Sequence, residues 1–170
     1  MTGLDEKVDS ILEVAVVLTD LDFKVLEEYA RVVFQPNDVL EKMNDWCKKN
    51  HKKTGLTDLV PKGVPLSKVE EELLALVAKY YDSKDKIVLA GNSIGNDKRF
   101  VDKYMLKFAE RLHYRIMDVS SFKELFHQKY GIEHKKKNGH RALDDIKESI
   151  EELKKYLSFV SVPPTPQSKT

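Results

Sequence analysis

Cysteine is almost missing from this chain: Cys47 stands alone among 170 residues. One thiol excludes a disulfide framework and a cysteine-built zinc site. Glycine and proline are sparse, at seven and six, so no low-complexity domain is present, and no segment repeats. No apolar run approaches the roughly 20 residues that a bilayer-crossing helix needs. The opening residues do not read as a signal or transit peptide. A surplus of one charge is also lacking, because 29 basic side chains face 28 acidic ones and leave a net charge of +1. Affinity for nucleic acid through bulk charge is thereby excluded, and any basic site must be local. Together these absences point to an intracellular protein with no membrane partner, cytoplasmic or, in a eukaryote, mitochondrial.

What is present suffices for one core. The chain is 41% hydrophobic and 34% charged, which excludes wholesale disorder, and a domain of this length buries roughly 70% of its unfolded surface. Residues 1–158 read as the domain and 159–170, rich in proline and serine, as a disordered tail. The β-branched run Ile11 to Thr19 reads as a buried strand, and Lys24 to Phe34 as its hairpin return after Asp20-Leu21-Asp22. Val39 to Lys53 reads as a helix with Leu40, Met43 and Trp46 at helical spacing, and Gly55 to Pro65 as a loop. Ser67 and Glu70 match a capping box for a helix whose stripe is Val69, Leu73, Leu76, Val77 and Tyr80. A short strand at Ile87 to Ala90, a tight loop at Gly91 to Asn96 and a helix from about Asp97 follow. Next come a strand from His113 to Val119, a helix from Ser120 to Tyr130, a lysine-rich loop and an amphipathic helix from Arg141 to Leu157. A hairpin followed by alternating helices and strands predicts an α/β fold, a mixed sheet flanked by helices.

Chemistry needs acids that face inward. With steps of about 100° per residue, Ala142, Ile146, Ser149, Ile150, Leu153 and Leu157 share a stripe. Asp145 lies at its edge and Asp144 on the other side, so Asp145 is expected to turn toward the core. It is equally readable as a boundary acid in the first helical turn, where negative charge is favoured. Asp97 falls within the stripe of Phe100, Val101, Tyr104 and Phe108, and reads either as an inward acid or as a helix cap. His140 follows Gly139 at a helix entrance, where an imidazole can take a proton from water near neutral pH. It is also readable as an exposed loop histidine. Two inward carboxylates and a histidine on separate elements suggest a site for Mg²⁺ or Mn²⁺. Such a site serves phosphodiester hydrolysis with two ions, for which two carboxylates are too few and a further pair is expected.

Gly91-Asn92-Ser93-Ile94-Gly95-Asn96-Asp97 and His140-Arg141-Ala142-Leu143-Asp144-Asp145 resemble the second and third motifs of the oligoribonucleases, which are histidine-type DEDD 3′→5′ exonucleases with an RNase H-like fold. Met1-Thr2-Gly3-Leu4-Asp5 resembles the end of the first motif. Met43 to Cys47, His113-Tyr114-Arg115 and Asp118-Val119-Ser120 are similar to further stretches of that family, and the likeness runs from Met1 to about Leu157. The resemblance implies hydrolysis of RNA of two to five nucleotides to 5′-mononucleotides. Asp97 and Asp145 would be metal-site carboxylates and His140 the general base. Leu4 would wedge against the bases and Trp46 stack on one, although Trp46 is also readable as core. Ser93 would lie in the nucleotide pocket, and His51, Arg115 and Ser120 would cap the 5′ phosphate. Tyr114 would reach into the site of a partner copy, since the family is homodimeric. Lys135 to Lys137 read as a solvated loop or as a phosphate-attracting run beside His140.

One departure stands out. The family's first motif places Asp-x-Glu immediately before Met-Thr-Gly-Leu, and here Met1 is the first residue. The N-terminal strand is therefore expected to be truncated. Two readings follow: a truncated or mis-started form of an active enzyme, preferred because His140, Asp97 and the phosphate-cap residues remain, or a catalytically impaired relative that binds short RNA or dinucleotides.

Overall fold

The structure is a computed structural model and describes residues 1–134 and 141–161. The apolar run at the start forms β1 (Glu13–Thr19), which returns antiparallel as β2 (Val25–Val32) with Glu13 opposite Val32. The turn is closed by the Asp20 carboxylate, which accepts the N–H groups of Asp22 and Lys24 at 2.9 Å each. A second ladder pairs β3 (Ile87–Gly91) with β4 (Leu112–Asp118) in parallel. Parallel pairing demands a crossover, and the chain supplies it as α5 (Ile94–Tyr104) and α6 (Leu106–Ala109). The mixed α/β architecture expected from the sequence is present, with its strands in two two-stranded ladders.

Helices cover these ladders. Preceding α5 are α1 (Asn37–Glu41), α2 (Asp45–Lys53), α3 (Leu56–Leu59) and α4 (Leu66–Val77). After β4 come α7 (Val119–Tyr130) and α8 (Ala142–Leu157). The principal core joins Ile11, Leu18 and Val33 to Val69, Leu73 and Val77 of α4 and to Phe100, Phe108 and Leu112. A smaller cluster gathers Leu12, Leu40, Met43, Cys47, Leu56 and Val60 under the short helices.

Several boundaries differ from the sequence reading, each for a local reason. The helix expected over Val39 to Lys53 is two helices, because the Asn44 side chain accepts the Cys47 N–H at 2.8 Å and starts a new one. Residues 55–65, expected as loop, contain α3 and a 3₁₀ turn at Val60–Lys62. The capping box at Ser67 does not form: α4 already begins at Leu66 after Pro65, and Glu70 accepts the N–H of Phe108 at 3.0 Å instead. Tyr80 leaves the α4 stripe and donates to Glu27. The helix expected from Asp97 begins three residues earlier, at Ile94. The lysines at 135–137 and residues 162–170 of the expected tail lie outside the described residues, while Phe159 sits 6.2 Å from the Phe126 ring.

Leu73 is nearly inaccessible to solvent at the centre of the main core. Leu73→Ala is expected to cost about 2–5 kcal/mol of unfolding free energy. Urea denaturation would show this as a lower midpoint with an unchanged slope.

Candidate active site

The site grows from the end of β3. There the chain turns through Asn92 and Ser93 into α5, and Ser93 adopts a left-handed conformation with φ 51° and ψ 35°. A non-glycine residue in this region carries strain on the order of 1–3 kcal/mol and needs its surroundings to hold it. The Ser93 N–H donates to Asp118 Oδ1 and to Ser120 Oγ, both at 2.9 Å. Asp118 also caps α7 by accepting the Ser120 N–H at 2.9 Å. Parallel pairing of Gly91 with Asp118 brings these turns side by side. Ser93 and Ser120, 27 residues apart in sequence, thus lie with their hydroxyl oxygens 3.3 Å apart.

One turn into α5, Asp97 is half-buried. Burial pushes its carboxyl pKa up, opposed by its own backbone N–H and by the nearby Met1 ammonium. The N-terminal turn is strapped to the same helix. Arg99 donates to the Leu4 carbonyl, to Glu6 and to Asn96, and the Tyr104 hydroxyl donates to the carbonyls of Glu6 and Asp9. Within that turn, the Thr2 hydroxyl donates to Asp9 and accepts the Ser10 N–H. His51 of α2 meets the Met1 carbonyl at 2.9 Å through Nε2, so that nitrogen carries the proton. Leu4, at 62% exposure, and Trp46, at 64%, present their side chains to solvent. The core reading of Trp46 is thereby corrected, because Asn44 turns α2 so that Cys47 packs inward instead.

On the far side, Glu13 of β1 is only 8% exposed and pairs with Arg141, whose Nη2 donates to Oε1 at 2.6 Å. Its second oxygen accepts the Ala142 N–H at 3.2 Å, so one carboxylate anchors both the residue before α8 and the first turn of the helix. The guanidinium pKa rises mainly through its hydrogen bond to Glu13. Asp145 is exposed, not inward as the stripe suggested. The buried side of α8 is made by Ser149, Glu152, Leu153 and Tyr156. Asp145 continues that side into the first turn of the helix, which is exposed at that position. His140 lies outside the described residues.

On β4, Tyr114 is 76% exposed, stacked on His113, with the Arg115 guanidinium 4.9 Å from its ring. Neither side chain bonds to Ser93 or Ser120 among the described residues. The structure therefore brings Ser93 and Ser120 together at the end of β3, sets Asp97 one turn further along α5, and brings Leu4 and His51 to the N-terminal turn. The sequence reading missed Asn92, Asp118 and Glu152 as parts of this region. Asn92 and Asp118 stand inside motifs already singled out. Glu152 had a usable signal, since it follows Ser149 by three residues on the inward side of α8.

With this geometry in view, comparison with known proteins is informative. A family model described as exonuclease matches residues 1–153. Human mitochondrial oligoribonuclease is 45% identical over 162 residues, covering 92% of this chain and 68% of that protein. The probable oligoribonuclease of Dictyostelium discoideum is 49% identical over 160 residues, covering 92% and 84%. The oligoribonuclease of Leifsonia xyli is 43% identical over 170 residues, covering 96% and 82%. The chain belongs to the oligoribonuclease family of exonucleases.

Exonucleases of this family generally use divalent metal ions. Carboxylate oxygens such as those of Asp97 and Asp145 have the donor chemistry for a hard cation, and a carboxyl pushed up by burial gains from a nearby positive charge. The number of donors is short, however: among the described residues, no group of three or more His, Cys, Asp or Glu converges as a metal centre. No helix among those residues is long and apolar enough to cross a membrane.

Burial lowers the His51 pKa below its ordinary value. The native state therefore favours the neutral ring. Its contribution to stability is complete above the unfolded value of 6.5 and is lost as pH falls through the lowered folded value. Thermal melts from pH 7.5 to 4.5 are expected to show a steeper fall for wild type than for His51→Gln. Parallel curves would remove the assignment.

Proposed function

We propose that this chain is a 3′→5′ exoribonuclease that hydrolyses RNA of two to five nucleotides to 5′-mononucleotides. The observation that carries this reading is a half-buried, desolvated Asp97 one turn into α5, the helix that begins at the Ser93–Ser120 pair at the end of β3. A carboxylate for a cation and hydroxyls for a phosphate, within one turn of α5, suit a short phosphodiester held at its end. Membership of the oligoribonuclease family supports the substrate class.

In this reading Asp97 and Asp145 hold Mg²⁺ or Mn²⁺, which when bound supplies Lewis-acid stabilisation of the oxygens at the scissile phosphate. His140 takes the proton of the attacking water; the phosphorus–oxygen bond to the preceding nucleotide breaks, and that 3′ oxygen leaves. Leu4 and Trp46 hold the bases, with stacking worth roughly 1–3 kcal/mol per base and indifferent to sequence. Ser93, Ser120, Arg115 and His51 receive the 5′ phosphate, Arg115 through its forked donors. His51 already spends Nε2 on Met1, so it donates to a phosphate only when Nδ1 is also protonated. Tyr114, exposed and held between His113 and Arg115, reaches a second copy in a homodimer. The mitochondrial relatives make that compartment a fitting place of action beside the cytoplasm.

A second reading has its own support: the carboxylates among the described residues do not assemble a group of three. A chain with an incomplete metal site binds short RNA without cutting it.

The deciding experiment is turnover of a labelled RNA dinucleotide by the chain with Mg²⁺ or Mn²⁺. The expected result is metal-dependent release of mononucleotide, reduced on the order of a hundredfold or more in Asp97→Asn and Asp145→Asn. A folded Asp145→Asn protein working at the wild-type rate would end its metal role. Tight binding with no turnover by wild type would select the second reading. Sedimentation at micromolar concentration is expected to give a dimer, and a monomer would remove the role given to Tyr114.

A further inference from the structure

Glu152 is 0% exposed, in the interior beneath α8. A carboxyl group there is costly unless its oxygens are occupied. Oε1 accepts the Tyr156 hydroxyl at 2.9 Å, and Oε2 accepts Asn92 Nδ2 at 3.0 Å. The same Asn92 nitrogen reaches Ser149 Oγ at 2.8 Å, and Ser149 in turn donates to the Asp145 carbonyl at 2.8 Å.

These contacts fix the direction of the Asn92 amide. Turned over, it would set its oxygen against the Glu152 oxygens and its nitrogen would lose two acceptors. With the nitrogen held toward α8, the oxygen must face the other way, and there it accepts the Ser120 hydroxyl at 3.2 Å. Ser120 Oγ then accepts the N–H of Ser93 at 2.9 Å, at the residue held left-handed. A directed chain of hydrogen bonds thus runs from a buried carboxyl group through Asn92 to the Ser93–Ser120 pair. The Ser120 proton is committed to Asn92, so in the 3.3 Å contact between the two hydroxyls Ser93 is the one with a proton to give, to Ser120 or to a ligand.

We propose that Glu152 is a positioning residue for phosphate recognition: through Asn92 it sets the Ser93–Ser120 pair to receive the 5′ phosphate of a short RNA. This rests on the reading of that pair as phosphate-binding, and deepens it by naming the buried group that holds it. Hydrogen bonds in a low-dielectric interior are stronger than in water, and networks of them act as units.

The test is binding by the full chain of an RNA dinucleotide with and without a 5′ phosphate, measured by calorimetry in excess chelator so that no turnover occurs. Wild type is expected to bind the phosphorylated form about tenfold more tightly or better, and Glu152→Gln, which offers one acceptor oxygen instead of two, is expected to close that ratio to about twofold while holding the 5′-hydroxyl form as before. A ratio kept in folded Glu152→Gln overturns the proposal. So does a parallel loss for both ligands, which marks a merely structural role. Absence of any ratio in wild type is a different failure: it removes the phosphate reading itself, and this proposal with it, before any variant is compared. Should Glu152→Gln lack a cooperative melt, Glu152→Leu combined with Tyr156→Phe removes that hydrogen-bonded pair together, a change that cores tolerate better than a lone deletion, and leaves Asn92 Nδ2 with Ser149. The same loss of ratio is expected there, and a retained ratio overturns the proposal equally.

Discussion

The hydrogen bonds between Glu13 and Arg141, and between Glu152 and Asn92, tie α8 to two ladders that share no pairing with each other. At its first turn the helix is anchored to β1 by a buried carboxylate that holds both Arg141 and the Ala142 N–H. Two turns on it is anchored to the end of β3 by a buried carboxyl group that holds Asn92. Apolar packing alone would let α8 slide or rotate over these surfaces, since hydrophobic contact is not directional. Two acids with fixed acceptors do not allow this, because a buried carboxyl group parted from its donors costs more than the contact contributes. The position of Asp145 relative to Asp97 therefore depends on polar bonds made elsewhere along the helix.

The N-terminal turn shows the same division between packing and direction. Thr2 and Gly3 are buried and Met1 packs against the main core, while Arg99, Lys103 and Tyr104 of α5 hold the turn's carbonyls from one side and His51 holds Met1 from the other. Backbone oxygens that would otherwise need water are satisfied by long side chains from a rigid helix. Leu4 is thereby displayed at the surface on a fixed support, which suits the wedge role proposed for it.

Periodicity made the strands and most of the apolar face of α4 legible, because burial repeats with the backbone; the buried side of α8 is rotated from the expected stripe, with Glu152 and Tyr156 buried and Leu157 exposed. Leu73, Val77 and Leu153 lie where their spacing places them. Breaks in the short helices were hidden, since Asn44 and Glu70 act through single polar contacts that leave no period. Asp145 was misjudged for a related reason: angle along a helix says which side a residue takes, but not whether anything covers that side. For the site, the motif around Gly91 to Asp97 was readable as a unit, and Asp97 is half-buried as the stripe implied. The roles of Asn92, Asp118 and Glu152 were not readable, since the donors and acceptors they join lie 25 to 60 residues apart.

A balanced charge and an anionic substrate class fit together through these contacts. With a net charge of +1, long-range attraction contributes little, so recognition rests on short-range geometry. The hydroxyl pair at the end of β3 suits that requirement, because hydrogen-bond strength depends on angle and distance. A phosphate at the end of a chain offers three oxygens to such donors, whereas an internal phosphodiester offers two and continues into sugar. In the proposed reading, donors fixed in direction by a buried network favour an end over a middle, and the preference for very short RNA rests on the same bonds that keep Ser93 in its strained turn.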